Sequence, residues 1–317
     1  WSHDPFSGDT EGGYVWGRGS TDMKGGCAAL LAAFRTLVDR GIEPAADLAF
    51  VCDEETSGMY GIQCLLSKNL IKPCDCLIAE PTPALYPNIG QKGLCRIDLS
   101  FKGEPGHGSL YPVKGISAVM EAVKILAFLE ELHESEYAPG PGMEALVERS
   151  ERVLNECFGI DRAGEVLRRV MWNPGKIEGG EKANIVAQRC RLELDIRVPW
   201  GCGMEEMVDE LVKKASRATA HIQSLSEPSL TPADTPLVAT VCREISRVYG
   251  REAAPIVQWA ASDARFLRKA GFSVIEYGPS DITRLHSIDE RVPVEALGHA
   301  EEVYEGVIVA YGNGAGT

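Results

Sequence analysis

The sequence predicts an α/β fold in which a layered domain of alternating strands and helices is interrupted by an inserted α+β domain. Three observations predict it. Short apolar runs at residues 47–52, 76–79 and 272–277 alternate with helix-period segments at 23–40 and 237–249, as in a layered sheet with buried strands. Between them, residues 95–101 and 190–198 alternate apolar and polar side chains, the mark of strands with one wet face. The chain of 317 residues also exceeds what one hydrophobic core comfortably serves.

In chain order, residues 23–40 place Leu30, Leu31, Phe34, Leu37 and Val38 at helical spacing, and Gly41 supplies a stop. Residues 47–52 and 76–79 read as buried strands, whose carboxyl ends are where an α/β fold collects reactive groups. After Gly93 the pattern changes to strand 95–101, helix 115–132, a Pro-Gly surface loop at 137–143, strand 190–198 and helix 204–218. The Pro-rich run 227–236 reads as a linker, helix 237–249 and strand 272–277 resume the α/β style, and the tail 312–317 should be loose. The expected domains are therefore residues 1–93 with 225–317, and an insert over 94–224. Residues 1–6 read as the middle of a loop, so the chain is expected to be a piece lacking the start of its first domain.

Composition excludes several functions. A net charge of −14 and a pI near 5.0 oppose phosphate backbones and anionic lipid, so neither nucleic acid nor a membrane surface is an expected partner. No apolar run is long enough to span a bilayer. The ten cysteines form no CxxC pair and sit singly in apolar stretches, which reads as reduced thiols in a cytoplasmic protein.

Four places could do chemistry. The turn at residues 17–26, GRGSTDMKGG, delivers Asp22 to a helix start, as a ligand or as a simple helix cap; a nucleotide loop would need glycine or Gly-Lys-Ser/Thr there. Asp53-Glu54-Glu55 follows an apolar run, and three adjacent carboxylates repel one another unless a cation intervenes, although acid runs are commonly solvated surface. Glu80 closes the strand at 76–79, and His286 lies in the loop after the strand at 272–277, where a lone histidine is ordinarily just exposed. Asp22, Glu55, Glu80 and His286 together would make a mixed oxygen and nitrogen site suited to zinc, cobalt or manganese.

The wording and order of six segments resemble the M20 metallopeptidase family: GRGSTDMKGG at 17–26, DEE at 53–55, AEPT at 79–82, GEPGHGS at 103–109, ANIV through DIR at 183–197, and GPSDITRLHSIDE at 278–290. The resemblance covers nearly the whole chain and implies a zinc-peptidase-like layered catalytic domain with an inserted α+β, ferredoxin-like dimerisation domain. It further implies two divalent ions, zinc or cobalt with manganese as an alternative. Asp22 would bridge them, Glu55 and His286 would complete one site, and Glu80 would serve the other. By the same resemblance Glu54 is the general base, and His107 is lent by one subunit of a homodimer to the active site of its partner to steady the oxyanion. Asn184 and Arg197 hold the substrate. Family members carry a His-x-Asp motif upstream of the Trp1 region; His3 does not match its wording. The implied substrate is a small N-acyl amino acid, with a desuccinylase of succinyl-diaminopimelate first and an acetylornithine deacetylase second. An aminopeptidase or dipeptidase with the same metal core, and a binding or dimerising protein whose metal centre has decayed, are the alternatives.

Overall fold

A computed structural model describes residues 1–315. Two of its sheets carry the bulk of the packing. The first runs Ile256–Gln258, Asn88–Gln91, Ser273–Glu276, Asp75–Ile78 across its width, with Ser229–Leu230 also paired to Asn88–Gln91. Ile256–Gln258 lies parallel to Asn88–Gln91, and Ser273–Glu276 lies parallel to Asp75–Ile78, whereas the two pairs meet antiparallel at Glu276 and Asn88.

Helices Gly25–Asp39, Pro236–Tyr249 and Val294–Gly312 pack beside this sheet, and Ile89, Val257, Ile275, Tyr277, Val303 and Tyr304 fill the core between them. The helix Gly25–Asp39 is rich in the strong helix formers alanine and leucine. It ends in a left-handed Gly41, with Ile42 N–H donating to Leu37 C=O at 2.9 Å and Gly41 N–H to Val38 C=O at 2.9 Å, as the sequence predicts. Its buried stripe is Ala29, Ala33 and Leu37, while Leu31 and Val38 face outward. Small residues win that face because the helix must lie close against Val294–Gly312.

The second sheet is antiparallel throughout, in the order Met171–Gly179, Arg189–Val198, Gly93–Lys102, Ala218–Ser226. Period-two burial along Gly93–Lys102 points Cys95, Ile97, Leu99 and Phe101 inward, and helices Ala118–Glu134 and Met204–Lys214 cover that face with Ile125, Leu129, Met207 and Leu211. A small third sheet joins Thr10–Glu11, Tyr14–Trp16 and Arg291–Pro293.

Several expectations need correction. Residues 47–52 are not a buried strand: no ladder partner holds them among the described residues, and Phe50 and Val51 are exposed. An apolar run marks a strand only when a neighbour completes its hydrogen bonds. The run 227–236 is no free linker, since Ser229–Leu230 pairs with Asn88–Gln91 and Thr231 Oγ1 accepts from Val274 N–H at 2.9 Å and donates to Val274 C=O at 2.7 Å. The helix expected over 204–218 stops at Lys214, because Ala218 already belongs to the next strand. Cys52 and Cys74 are exposed rather than buried, and all ten cysteines are free thiols.

Two elements to which the sequence reading gave no assignment, helices Glu144–Phe158 and Ala163–Arg168, leave the second sheet and bury Leu146, Val147, Leu154 and Leu167 in the core of the first. Of the tail expected to be loose, Gly312 ends the last helix and residues 313–315 form a turn, while residues 316 and 317 lie outside the described residues. Among the described residues no helix is long and apolar enough to cross a membrane.

Candidate active site

Three loops at the edge of the first sheet are drawn together by close backbone packing. A Cβ at Gly26 would lie 2.4 Å from the Ala79 carbonyl oxygen, and one at Gly278 would lie 2.3 Å from the same atom. Only glycine permits both approaches. The start of helix Gly25–Asp39, the end of strand Asp75–Ile78 and the loop after Ser273–Glu276 therefore converge on the residue before Glu80.

On these loops sit Asp22, Glu80 and His286, and the turn Glu54–Thr56 brings Glu55 to them. His286 Nε2 lies 3.0 Å from Asp22 Oδ2 and 3.2 Å from Glu55 Oε1, and one ligand atom from each of the three residues falls within 4.8 Å of the others. Asp22 is mostly enclosed, whereas Glu55 and His286 open to solvent with side-chain exposures of 62% and 64%. His286 is held at φ 54 and Asp53 at φ 59, backbone conformations that cost a non-glycine residue free energy. Such strain is concentrated in the loops that carry the cluster.

The run Asp53-Glu54-Glu55 divides its labour. Asp53 turns back and accepts from Tyr60 N–H and Gly61 N–H, both at 2.8 Å, so it closes its own loop. Glu55 faces His286. Among the described residues Glu54 makes no ion pair, and its carboxyl is pushed up to about 7, first by burial and then by the neighbouring Asp263 charge. A carboxyl poised near neutrality is what a general base needs.

Glu80 is buried and pushed well above the usual carboxylate range, first by burial and next by the charge of Asp22. Asp22 is itself raised by burial and then by Glu55. Glu80 stands outside the three-residue group but inside the same acidic field. This donor set of two carboxylates and an imidazole, with a further buried acid beside it, fits a divalent cation of the zinc or cobalt kind: a positive charge would relieve both burial and repulsion. His3, by contrast, stacks on Trp16 with ring centroids 4.1 Å apart and contacts Glu11.

The other candidates lie on the second sheet and its loops. His107 Nδ1 is 2.8 Å from Ser109 Oγ, and the adjacent Gly108 N–H donates to Asn184 C=O at 2.8 Å, so His107 and Asn184 stand side by side at the rim of a cavity of about 480 Å³ lined by Tyr111, Ser117, Lys182 and Ile185. Arg197 makes a two-pronged contact with Asp195, at 2.6 and 3.2 Å, and Asp195 also takes Arg96 at 3.0 Å. None of these contacts reaches Asp22, Glu55 or His286 within this chain.

Two further residues border the cluster: Asp263, in the segment 262–265 that the sequence suggests as a shaper of the pocket, and Glu290, to which sequence reasoning gave no role. Asp263 is 5% exposed, neither of its carboxylate oxygens is hydrogen-bonded among the described residues, and burial pushes it up to about 6. Glu290 is fully buried and accepts from Thr21 N–H, Asp22 N–H and Arg18. The wording of the segment 278–290 contained Glu290, but nothing in one sequence separates an exposed acid from a buried anchor.

Residues 1–310 match the description of peptidase family M20/M25/M40. The chain is similar to a succinyl-diaminopimelate desuccinylase of Afipia carboxidovorans, 30% identical with 98% of this chain and 78% of the relative covered, and to one of Helicobacter hepaticus, 25% identical over 94% and 72%. Among solved structures it resembles the M20 family metallo-carboxypeptidase Sso-CP2 of Sulfolobus solfataricus, with a TM-score of 0.73 at 19% identity, 98% of this chain and 80% of that one covered. It also resembles the di-peptidase Dug1p of Saccharomyces cerevisiae, with a TM-score of 0.74 at 14% identity and coverage of 99% and 76%. The extent of the family match, laid over a cluster whose donors suit a divalent cation, leads to one assignment: the chain belongs to peptidase family M20/M25/M40 and is a metal-dependent hydrolase.

Proposed function

We propose that the protein hydrolyses the amide bond of small N-acyl amino acids, as a succinyl-diaminopimelate desuccinylase first and an acetylornithine deacetylase second. The observation that carries this reading is the convergence of Asp22, Glu55 and His286 beside a Glu54 whose carboxyl rests near neutrality. The names of the desuccinylase relatives, at 25–30% identity, support the acyl preference.

In this reading residues 1–93 and 225–317 form the catalytic domain, whose core also takes in helices Glu144–Phe158 and Ala163–Arg168, and the rest of 94–224 forms the insert. Asp22, Glu55 and His286 would hold one divalent ion, zinc or cobalt, and Glu80 together with Asp22 would serve a second. When bound, the ions supply Lewis acidity that makes water a nucleophile at neutral pH and polarises the scissile carbonyl. Glu54 accepts the proton of the attacking water and passes it to the departing amine. His107, reaching in from the second subunit of a homodimer, donates a hydrogen bond to the oxyanion of the tetrahedral intermediate. Asn184 and Arg197 orient the substrate, and the guanidinium fork of Arg197 suits a carboxylate. That fork grips Asp195 here, so a substrate carboxylate must compete with an internal one. The cytoplasm is the setting this chemistry fits.

The test is a panel of N-succinyl and N-acetyl amino acids beside free dipeptides, assayed with added zinc or cobalt while bound metal is quantified. Turnover of the succinylated substrates above the rest is expected. Turnover of free dipeptides alone would replace this reading with that of a peptidase, and neither metal nor turnover would leave a binding protein. Activity should fall on acidification, because protonated Glu54 cannot accept a proton, and the fall should come below about 7, since bound cations offset the Glu55 and Asp22 charges that help to raise it.

A further inference from the structure

We infer that the Arg18–Glu290 ion pair is a positioning device that sets the spacing between Asp22 and His286, and so tunes affinity for the metal. The inference rests on the reading of those two residues as ligands given above.

Glu290 is fully buried, and each of its carboxylate oxygens is engaged. Oε1 accepts from Thr21 N–H and Asp22 N–H, both at 3.1 Å, and Oε2 accepts from Arg18 Nη1 at 2.7 Å. With its oxygens so occupied, Glu290 does not join the group formed by Asp22, Glu55 and His286. It instead fixes the peptide that carries Asp22. Arg18 extends the connection to the other ligand: its Nη2 donates to Ser287 C=O at 3.0 Å, the carbonyl directly after His286.

A second set of bonds ties the same two loops without touching the ligands. Thr21 Oγ1 donates to Arg291 C=O at 2.5 Å and accepts from Asp281 N–H at 3.2 Å, and Arg291 Nε pairs with Asp281 at 2.9 Å. Removing the Arg18–Glu290 pair should therefore leave the loops attached while freeing the Asp22 peptide and the His286 turn to move separately. A charge with no water around it is costly to bury, and this one is satisfied by two backbone donors from the ligand turn itself. Ligand atoms must be held within a few tenths of an ångström for full affinity, which such second contacts accomplish.

The experiment measures cobalt(II) affinity by competition with a chelator, and the cobalt absorption bands in the visible, on the full-length protein and four variants. Glu290→Gln and Arg18→Ala should each raise the cobalt dissociation constant at least tenfold and shift the bands. Leu37→Ala, a core variant away from the site, should lower the melting temperature yet leave affinity and spectrum unchanged. Asp22→Asn should abolish binding. If Glu290→Gln does not fold, Arg18→Ala carries the test, since that side chain is 43% exposed and tolerates truncation. Wild-type affinity and spectrum in Glu290→Gln or Arg18→Ala, with binding lost in Asp22→Asn, would overturn the positioning role and leave the proposed function intact. Cobalt binding retained in Asp22→Asn would overturn both.

Discussion

The carboxylates of the two large sheets are treated in opposite ways. Around the loops of the first sheet, Asp22, Glu54, Glu80 and Asp263 are enclosed, and burial raises each of them above its ordinary value even though His286 faces Asp22 and the Arg265 charge pulls Glu54 and Asp263 the other way. On the second sheet, burial also pushes Asp98 upward, but hydrogen bonds from Arg191 and Gln223 pull it below its ordinary value, and Asp195 is held between Arg96 and Arg197. The contrast is not one of depth. Glu276 is fully buried in the first sheet, yet Asn88, Ser262 and Arg268 all serve it. The chain can satisfy a buried acid where structure is all that is asked, so the acids left raised around Asp22 mark the place where a cation from outside would complete the balance.

The largest effect should come from the acid that the proposed mechanism moves a proton through. Glu54→Gln keeps the shape and removes the base, and kcat should drop by roughly 10²–10⁴. Metal content should stay at the wild-type level, because Glu54 is not one of the cluster ligands. Turnover surviving the substitution would break the distinction between Glu54 and its neighbours in the DEE run. On the second sheet, Arg197→Ala should raise KM by about tenfold or more for substrates with a carboxylate, through loss of a two-pronged contact, with a smaller change in kcat. A kcat loss with KM unchanged would move Arg197 from ground-state substrate binding to a contact made only in the transition state.

How much of this was legible in the sequence follows from what each residue depends on. The glycine-rich turn before Asp22, the apolar strand before Glu80 and the period-two strands of the insert are local patterns, and the structure has strands Asp75–Ile78, Gly93–Lys102 and Arg189–Val198 where periodicity placed them. Residues 47–52 carried an equally good local pattern, but strandness is a property of a pair, and no partner stands beside them among the described residues. Helix Glu144–Phe158 is the complementary case: Leu146, Val147, Val153 and Leu154 stand at helical spacing, so the helix itself is a local pattern, but the core its apolar face joins is built largely from distant parts of the chain. The three jobs within Asp53-Glu54-Glu55 were not separable by spacing. Only the turn that brings Tyr60 N–H and Gly61 N–H back to Asp53 shows that the first acid is structural.

The remaining two predictions turn the contrast between sheets into opposite pH signatures. Asp263 has a folded pKa raised to about 6 by burial, so its contribution to stability is complete below the unfolded value of 3.8 and is lost as pH rises through about 6. Asp263→Asn removes the charge and should stabilise the fold above that range, by on the order of 1–3 kcal/mol in denaturant titrations at pH 8. A variant less stable than the parent at pH 8 would mean that the ionised carboxylate has a partner.

Asp98 runs the other way. Its folded pKa is lowered, so its contribution is present above the unfolded value of 3.8 and disappears as pH falls through the folded one. The pair it makes with Arg191 is largely solvated, which limits the loss on Asp98→Asn to about 0.2–1 kcal/mol at pH 7, and less in high salt. Measured from neutral pH down to 3, the gap between Asp98→Asn and the parent should close on acidification, whereas the gap for Asp263→Asn should close over the range between about 6 and 3.8 with the variant as the more stable protein. If both gaps had the same sign at neutral pH, the two sheets would not differ in how they hold their acids, and the acids around Asp22 would no longer stand out as a place prepared for a cation.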